Sequence, residues 1–198
     1  MPYLRIPETV VEGKRLGRHQ ALPDERDFAY LAQGAPQIVS VRHQAAGLPL
    51  DQGNVGSCTA EALCGALNSS PDYAGGHLYT QPDALALYER ETADEGQPYP
   101  ANDPGGTGRA VCQAARELGW ITSWQNAAGL QAALQALVLR PVITGVNWMT
   151  SFDTPMPNGH IAIAPGATVR GGHEFVVDEI DADHYLVGFT NSWGPSYG

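Results

Sequence analysis

An α+β fold in two lobes is what this sequence predicts, and three observations predict it. Between residues 58 and 139, four stretches repeat apolar side chains at helical spacing. Between residues 141 and 193, four short β-branched and aromatic stretches are separated by Pro, Gly, Asn and Asp. The 198 residues, 43% of them hydrophobic, can form one sizeable domain or two small lobes that share a core. Helices first and strands second is the α+β order.

Residues 1–40 alternate short apolar pieces with Pro, Gly and charge, as in "ALPDERDFAY", and read as an irregular arm lying over a domain of residues 41–198. In that domain Ser57 is placed to cap a helix from Cys58 to about Leu67, with Ala62, Leu63, Ala66 and Leu67 on its buried side. A second helix is "PDALALYERETA", with Leu85 and Tyr88 inward and Glu89 and Arg90 outward. The turn-rich "DEGQPYPANDPGGTG" follows. Gly105 and Gly106 then open a third helix, "RAVCQAARELG", stopped by Gly119. The fourth, "LQAALQALVL", ends at Pro141. The expected strands are "PVITGVNW", "GHIAIA", "HEFVVDEI" and "HYLVGFTNSW". The helical lobe is thus expected over about 41–140 and the β-rich lobe over 141–198.

Composition narrows the function. The net charge is −10, from 21 acidic and 11 basic residues, and Lys14 is the single lysine. No basic stripe exists to neutralise phosphates or anionic lipid, so neither a nucleic-acid nor a membrane partner is expected. No apolar run approaches the roughly 20 residues that cross a bilayer, and the first residues lack the apolar core of a secretory signal. Three cysteines, Cys58, Cys64 and Cys112, leave at least one unpaired. Reduced thiols and cytosolic synthesis are therefore expected, with Cys64 and Cys112 as core thiols and no metal or cofactor. Scarce lysine beside abundant alanine and arginine fits a GC-rich bacterial or phage genome.

The chemistry-bearing stretch is "DQGNVGSC". A thiol attacks as thiolate, and a helix N-terminus together with a nearby imidazolium favours that anion. Cys58 has the helix N-terminus by sequence, and Gly53 and Gly56 let the chain turn and leave the sulfur accessible. Gln52 lies on the loop leading in, where its amide could join the Cys58 N–H in holding an oxyanion. In "GGHEFVVDEIDADHYLVGFTNSWG", His173 begins one strand and Asn191 ends the next. A hairpin sets the two side by side, so that the Asn oxygen orients the imidazole toward the sulfur. Trp193 then covers their hydrogen bond.

Gln52, Gly56-Ser57-Cys58, Gly172-His173 and Asn191-Ser192-Trp193-Gly194 together, in that order, resemble the papain family of cysteine peptidases. The resemblance spans about residues 49–198. It implies a papain-like two-lobe fold with the cleft between the lobes, and peptide or protein substrates. It also implies Cys58 as nucleophile, His173 as general base and acid, Asn191 as its orienting partner and Gln52 in the oxyanion hole. Gly105-Gly106 fits the pair that lines the substrate, "PVITGVNWMTSF" is similar to the strand after the last left-lobe helix, and "LPDERDF" to the lead-in of bacterial members.

The departures are informative. Thr59 stands where the family usually has an aromatic residue, and Val55 where a disulfide cysteine often stands. Glu174 stands at a commonly small position beside the pocket for the second residue upstream of the scissile bond, and is expected to narrow or acidify it. The spacing from Cys58 to His173 and Asn191 is short or low against the usual 130–150 or so residues, which implies trimmed loops. The arm is too short, and too poor in helical pattern, for a long inhibitory propeptide. Family members continue with a closing strand, so the expectation is either that the chain goes on in a further segment after Gly198 or that another segment supplies that strand. His160 is a weaker candidate base, and His19, His43, His77 and His184 read as surface residues. Asp178, Asp181 and Asp183 read as a solvated hairpin turn, and Tyr79, Tyr88 and Trp120 as core or interface aromatics. Two other functions stay open: another acyl transfer on the same residues (transglutamination, amide hydrolysis or peptidoglycan peptide cleavage), and a silent binding or assembly module.

Overall fold

The computed structural model describes residues 3–4, 8–9, 11, 13–24 and 36–197, and one long strand organises it. In chain order the elements are β1 (Tyr3–Leu4), β2 (Gln20–Ala21), β3 (Val41–Arg42), α1 (Cys58–Leu67), α2 (Gln81–Asp94), α3 (Gly108–Glu117), α4 (Leu130–Leu139), β4 (Val142–Met149), β5 (Val169–Asp181) and β6 (Leu186–Thr190). β5 is the hub of an antiparallel sheet. β4 runs along its first half from Val169 to Val177, β3 pairs at Glu179 and Ile180, and β6 pairs from Val176 to Asp181. The fold class is the α+β one expected.

Two apolar clusters sit on either side of the cleft. Leu63, Cys64, Leu87, Tyr88, Val111 and Cys112 fill the space among α1, α2 and α3. Leu16, Leu137, Trp148, Phe175, Val177, Ile180 and Trp193 fill the other, on one face of the sheet. Leu137 shows that α4 packs on the sheet and not among the other helices, and His43 Nε2 ties β3 to the Leu137 carbonyl at 2.6 Å. The lobes therefore share chain on both sides of residue 140. α1 is buried on almost every side because it lies between α2 and β5. Gly65 permits the approach to the sheet: a Cβ there would already stand 3.2 Å from Val176 Cγ1.

Several local expectations need correction. Ser57 occupies the N-cap of α1 without capping it; its hydroxyl donates instead to Glu61 Oε1 at 3.2 Å. "GHIAIA" forms no strand, because its alternation finds no partner. It is an exposed loop held through the Ser151 hydroxyl, which donates to the Ala162 carbonyl at 2.8 Å and accepts from the Ala164 amide. His19 and His43 are buried, each bonded to a backbone carbonyl. Most of "ALPDERDFAY", and with it most of the family-like "LPDERDF", lies outside the described residues, as does Gly198.

Candidate active site

The loop before α1 is drawn tight by its own side chains. Asp51 Oδ1 accepts from the Gly53 amide at 3.0 Å, and Gly53 takes a φ of 55° that favours glycine. The Gly56 amide donates to both oxygens of Asp103, at 3.1 and 3.2 Å. This turn delivers Cys58 to the first position of α1, where the unpaired N–H groups of a helix end lie. Gln52 is held beside it: Oε1 accepts from the Ser192 hydroxyl at 2.5 Å, and Nε2 donates to the Val55 carbonyl at 2.7 Å. One N–H of that amide is thus used locally and one is left.

The β5–β6 hairpin does what the spacing predicts. With Val176 opposite Thr190, His173 and Asn191 come together at the end of the pair. His173 Nε2 donates to Asn191 Oδ1 at 2.7 Å, since an amide oxygen can only accept. That fixes the neutral tautomer and leaves Nδ1 as a lone pair, buried and without a hydrogen-bond partner. Trp193 stacks on the imidazole at 5.0 Å with 27° between planes, and Trp148 meets it edge-on at 4.9 Å. His160 is exposed on the loop described above, with its ring Nδ1 3.2 Å from the Asn158 side-chain amide.

The cleft is occupied by the chain itself. Residues 13–20 run through it, pinned by the Arg15 amide to Gly53 O (3.2 Å), the Gly106 amide to Gly17 O (2.7 Å), the Arg18 amide to Gly172 O (3.1 Å) and the His19 amide to Gly106 O (2.7 Å). Leu16 is buried in the Trp148–Trp193 cluster, and the Lys14 ammonium lies over Trp193, 5.6 Å from its centroid. Gly17 crosses the loop that leads to the cysteine: a Cβ on it would stand 2.0 Å from Gly56 O, and one on Gly105 1.9 Å from Gly17 O. Gly105 and Gly106 lie against this extended segment of the chain itself. Residues 13–20 are extended and block the cleft.

Burial under the arm reverses the expected electrostatics. Cys58 is fully buried, not accessible, and this burial, with the nearby Glu174 carboxylate, pushes its thiol well above the usual range. The backbone N–H groups of Gly17 and Glu174 oppose the shift. Burial likewise pushes the His173 imidazole down to about 4, against the Asn191 hydrogen bond that raises it. Glu174 is buried and pushed up to about 7 by desolvation, with Arg18 pulling the other way. In this closed state both the thiol and the imidazole are neutral at pH 7. Among the described residues, no group of three His, Cys, Asp or Glu side chains is arranged to hold a metal ion.

No family profile matches the chain, and no curated protein matches it. Among solved structures it is similar to xylellain, a cysteine protease from Xylella fastidiosa, at 19% identity and a TM-score of 0.71, over 96% of this chain and 90% of that one. The fold is the papain-like one.

Within the papain-like frame, three acidic residues near the site escaped sequence reasoning. Glu91, fully buried on α2, accepts from Thr59 Oγ1 at 2.8 Å and from the Thr107 amide at 3.0 Å; burial raises its carboxyl well above the ordinary value. A Cβ on Gly106 would stand 2.0 Å from Glu91 Oε1, so this carboxyl backs the Gly-Gly segment. Asp103 joins the Gly56 amide to the Tyr88 hydroxyl (2.6 Å) and sits 3.7 Å from Arg15 of the arm. Glu61, pushed up to about 7 by burial, accepts from Gln81 Nε2 at 2.6 Å. The available signal was Thr59 itself: a small hydroxyl where the family carries an aromatic ring leaves room for a polar partner.

Proposed function

We propose that this chain is a papain-like cysteine peptidase, closed in the described state by its own N-terminal segment. The observation that carries the reading is the His173–Asn191 hydrogen bond under Trp193, on the strand against which the helix that begins at Cys58 packs. Once the segment leaves, water reaches both groups and the shifts caused by burial relax. Nδ1 of His173 then takes the Cys58 proton, and thiolate and imidazolium stabilise one another.

The thiolate attacks a peptide carbonyl. The Cys58 N–H and the remaining N–H of Gln52 hold the oxyanion. His173 gives its proton to the leaving amine, which departs and leaves a thioester on Cys58. It next takes a proton from water, and the hydroxide releases the carboxylic acid and restores the thiol. Asn191 keeps the imidazole in the tautomer this exchange requires. Substrates in this reading are peptides or unfolded proteins, which can adopt the extended form the arm now has between Gly106 and Gly172.

The test is turnover of denatured casein beside peptidoglycan fragments, with covalent capture by an epoxysuccinyl peptide. The reading expects casein cleavage and one adduct, on Cys58, both lost in Cys58→Ala. Cleavage of peptidoglycan peptides alone would move the activity to another acyl transfer. No turnover and no adduct, with the arm displaced, would make the chain a silent binding module.

A further inference from the structure

We infer that the pocket floored by Glu174 is a site for an arginine side chain, and that the peptides selected by this cleft are those that offer an arginine there, as the chain's own Arg18 does. This rests on the peptidase reading and adds to it the class of side chain recognised.

Three independent features converge on Arg18. The first is charge: Glu174 is 3% exposed on β5, and Arg18 Nε lies 3.8 Å from its Oε2, inside ion-pair range with both groups largely shielded from solvent. A carboxylate placed there without a cation would bear its full desolvation cost.

The second is shape. Opposite Glu174 in the sheet stands Gly145 of β4, where a Cβ would lie 2.2 Å from Arg18 Nε, 2.6 Å from Cζ and 2.9 Å from Nη2. On the other wall, a Cβ on Gly108 would lie 2.9 Å from Glu174 Oε1. Neither wall has room for a methyl group while the guanidinium and carboxylate hold these places. The slot exists because both residues are glycine.

The third is backbone register. The bonds of Gly17 and His19 to Gly106, and of Arg18 to Gly172, grip the main chain on both sides of Arg18, so the side chain at this position is the one directed into the slot. Main-chain bonds of this kind accept any sequence; the pocket supplies the discrimination.

The test reads binding without turnover. In the full-length Arg18→Ala variant, the resident segment has lost its guanidinium. A synthetic peptide of residues 13–22, and the same peptide with glutamine in place of its Arg18, are titrated against the alkylation of Cys58 by iodoacetamide. The arginine peptide is expected to protect at an about tenfold lower concentration, the scale of one charge-assisted contact. That ratio is expected to fall to about one in Arg18→Ala/Glu174→Gln, and equally in Arg18→Ala/Gly145→Ala, which fills the slot from the opposite wall if the glutamine variant fails to fold. Equal protection by the two peptides, or protection by neither, overturns the inference. Selective protection without hydrolysis of any peptide supports the pocket and overturns only the peptidase reading.

Discussion

Replacing Gly17 by alanine should uncover Cys58 by a calculable amount. The new methyl would stand 2.0 Å from Gly56 O, 2.5 Å from its carbonyl carbon and 2.6 Å from its Cα, where ordinary contact is 3.4–4 Å. Gly56 has no room to retreat, because its amide is held by Asp103, which also binds the Tyr88 hydroxyl. The segment must lift instead, and the bonds that go first are Gly106 N–H to Gly17 O and Arg18 N–H to Gly172 O. At about 1 kcal/mol each in net terms, their loss is about 2 kcal/mol, or roughly a 30-fold rise in the open population. Iodoacetamide alkylation at neutral pH, read by peptide mass mapping, reports this directly. Cys64 and Cys112, both buried and free, serve as references in the same digest. Gly76→Ala is the control, since its Cβ would meet nothing within 4 Å. Cys58 should react about 30 times faster in Gly17→Ala, with the other two cysteines unchanged. An unchanged Cys58 rate would refute the blocking role of the arm; equal acceleration at all three would refute a local opening.

Three further outcomes are expected. His173→Ala should lower casein turnover by about 10²–10⁴-fold, and Asn191→Ala by about tenfold, the scale of one lost orienting hydrogen bond; equal losses would contradict the assigned division of labour. Glu61 has a folded pKa raised by burial to about 7 from 4.5, so its contribution to stability is fully present below about 4.5 and is lost as the pH rises through about 7. Thermal or urea unfolding at pH 4.5 and pH 8 should therefore show a wild-type loss about 3 kcal/mol greater than that of Glu61→Gln. Glu91→Ala leaves Thr59 Oγ1 and the Thr107 amide without their acceptor and should cost about 2–4 kcal/mol in urea unfolding, with Glu91→Gln milder because its amide oxygen still accepts.

What the sequence disclosed and what it hid divide along physical lines. The helix beginning at Cys58 and the hairpin joining His173 to Asn191 were legible because each depends on local periodicity and a count of residues between turns. "GHIAIA" misled because alternation states only that a segment could pair; the partner must come from elsewhere, and none does. Glu91 was hidden because its acceptor role is fixed by Thr59 and Thr107, residues on other elements, while its neighbours Glu89 and Arg90 read as solvent-facing. The seat of the arm was hidden for the same reason at larger scale. An extended segment carries no internal pattern, and its partners Gly106 and Gly172 are remote in sequence. The expected exposure of Cys58 failed with it, since the covering residues come from the far end of the chain.

Gly172, His173 and Glu174 are neighbours on β5, and the pleat sends the last two to opposite sides: the imidazole to Trp148 and Trp193, the carboxylate toward Gly108 of α3. If His173 reacts and Glu174 selects as proposed, reaction and selection are written in one reading frame. Inserting a single residue between Gly172 and Val176 would exchange the two faces and forfeit both properties together, whereas lengthening the turn at 182–185 would leave the phase intact. On that reading, a point replacement at position 174 or at either glycine wall would retune what is accepted without disturbing the phase of the strand.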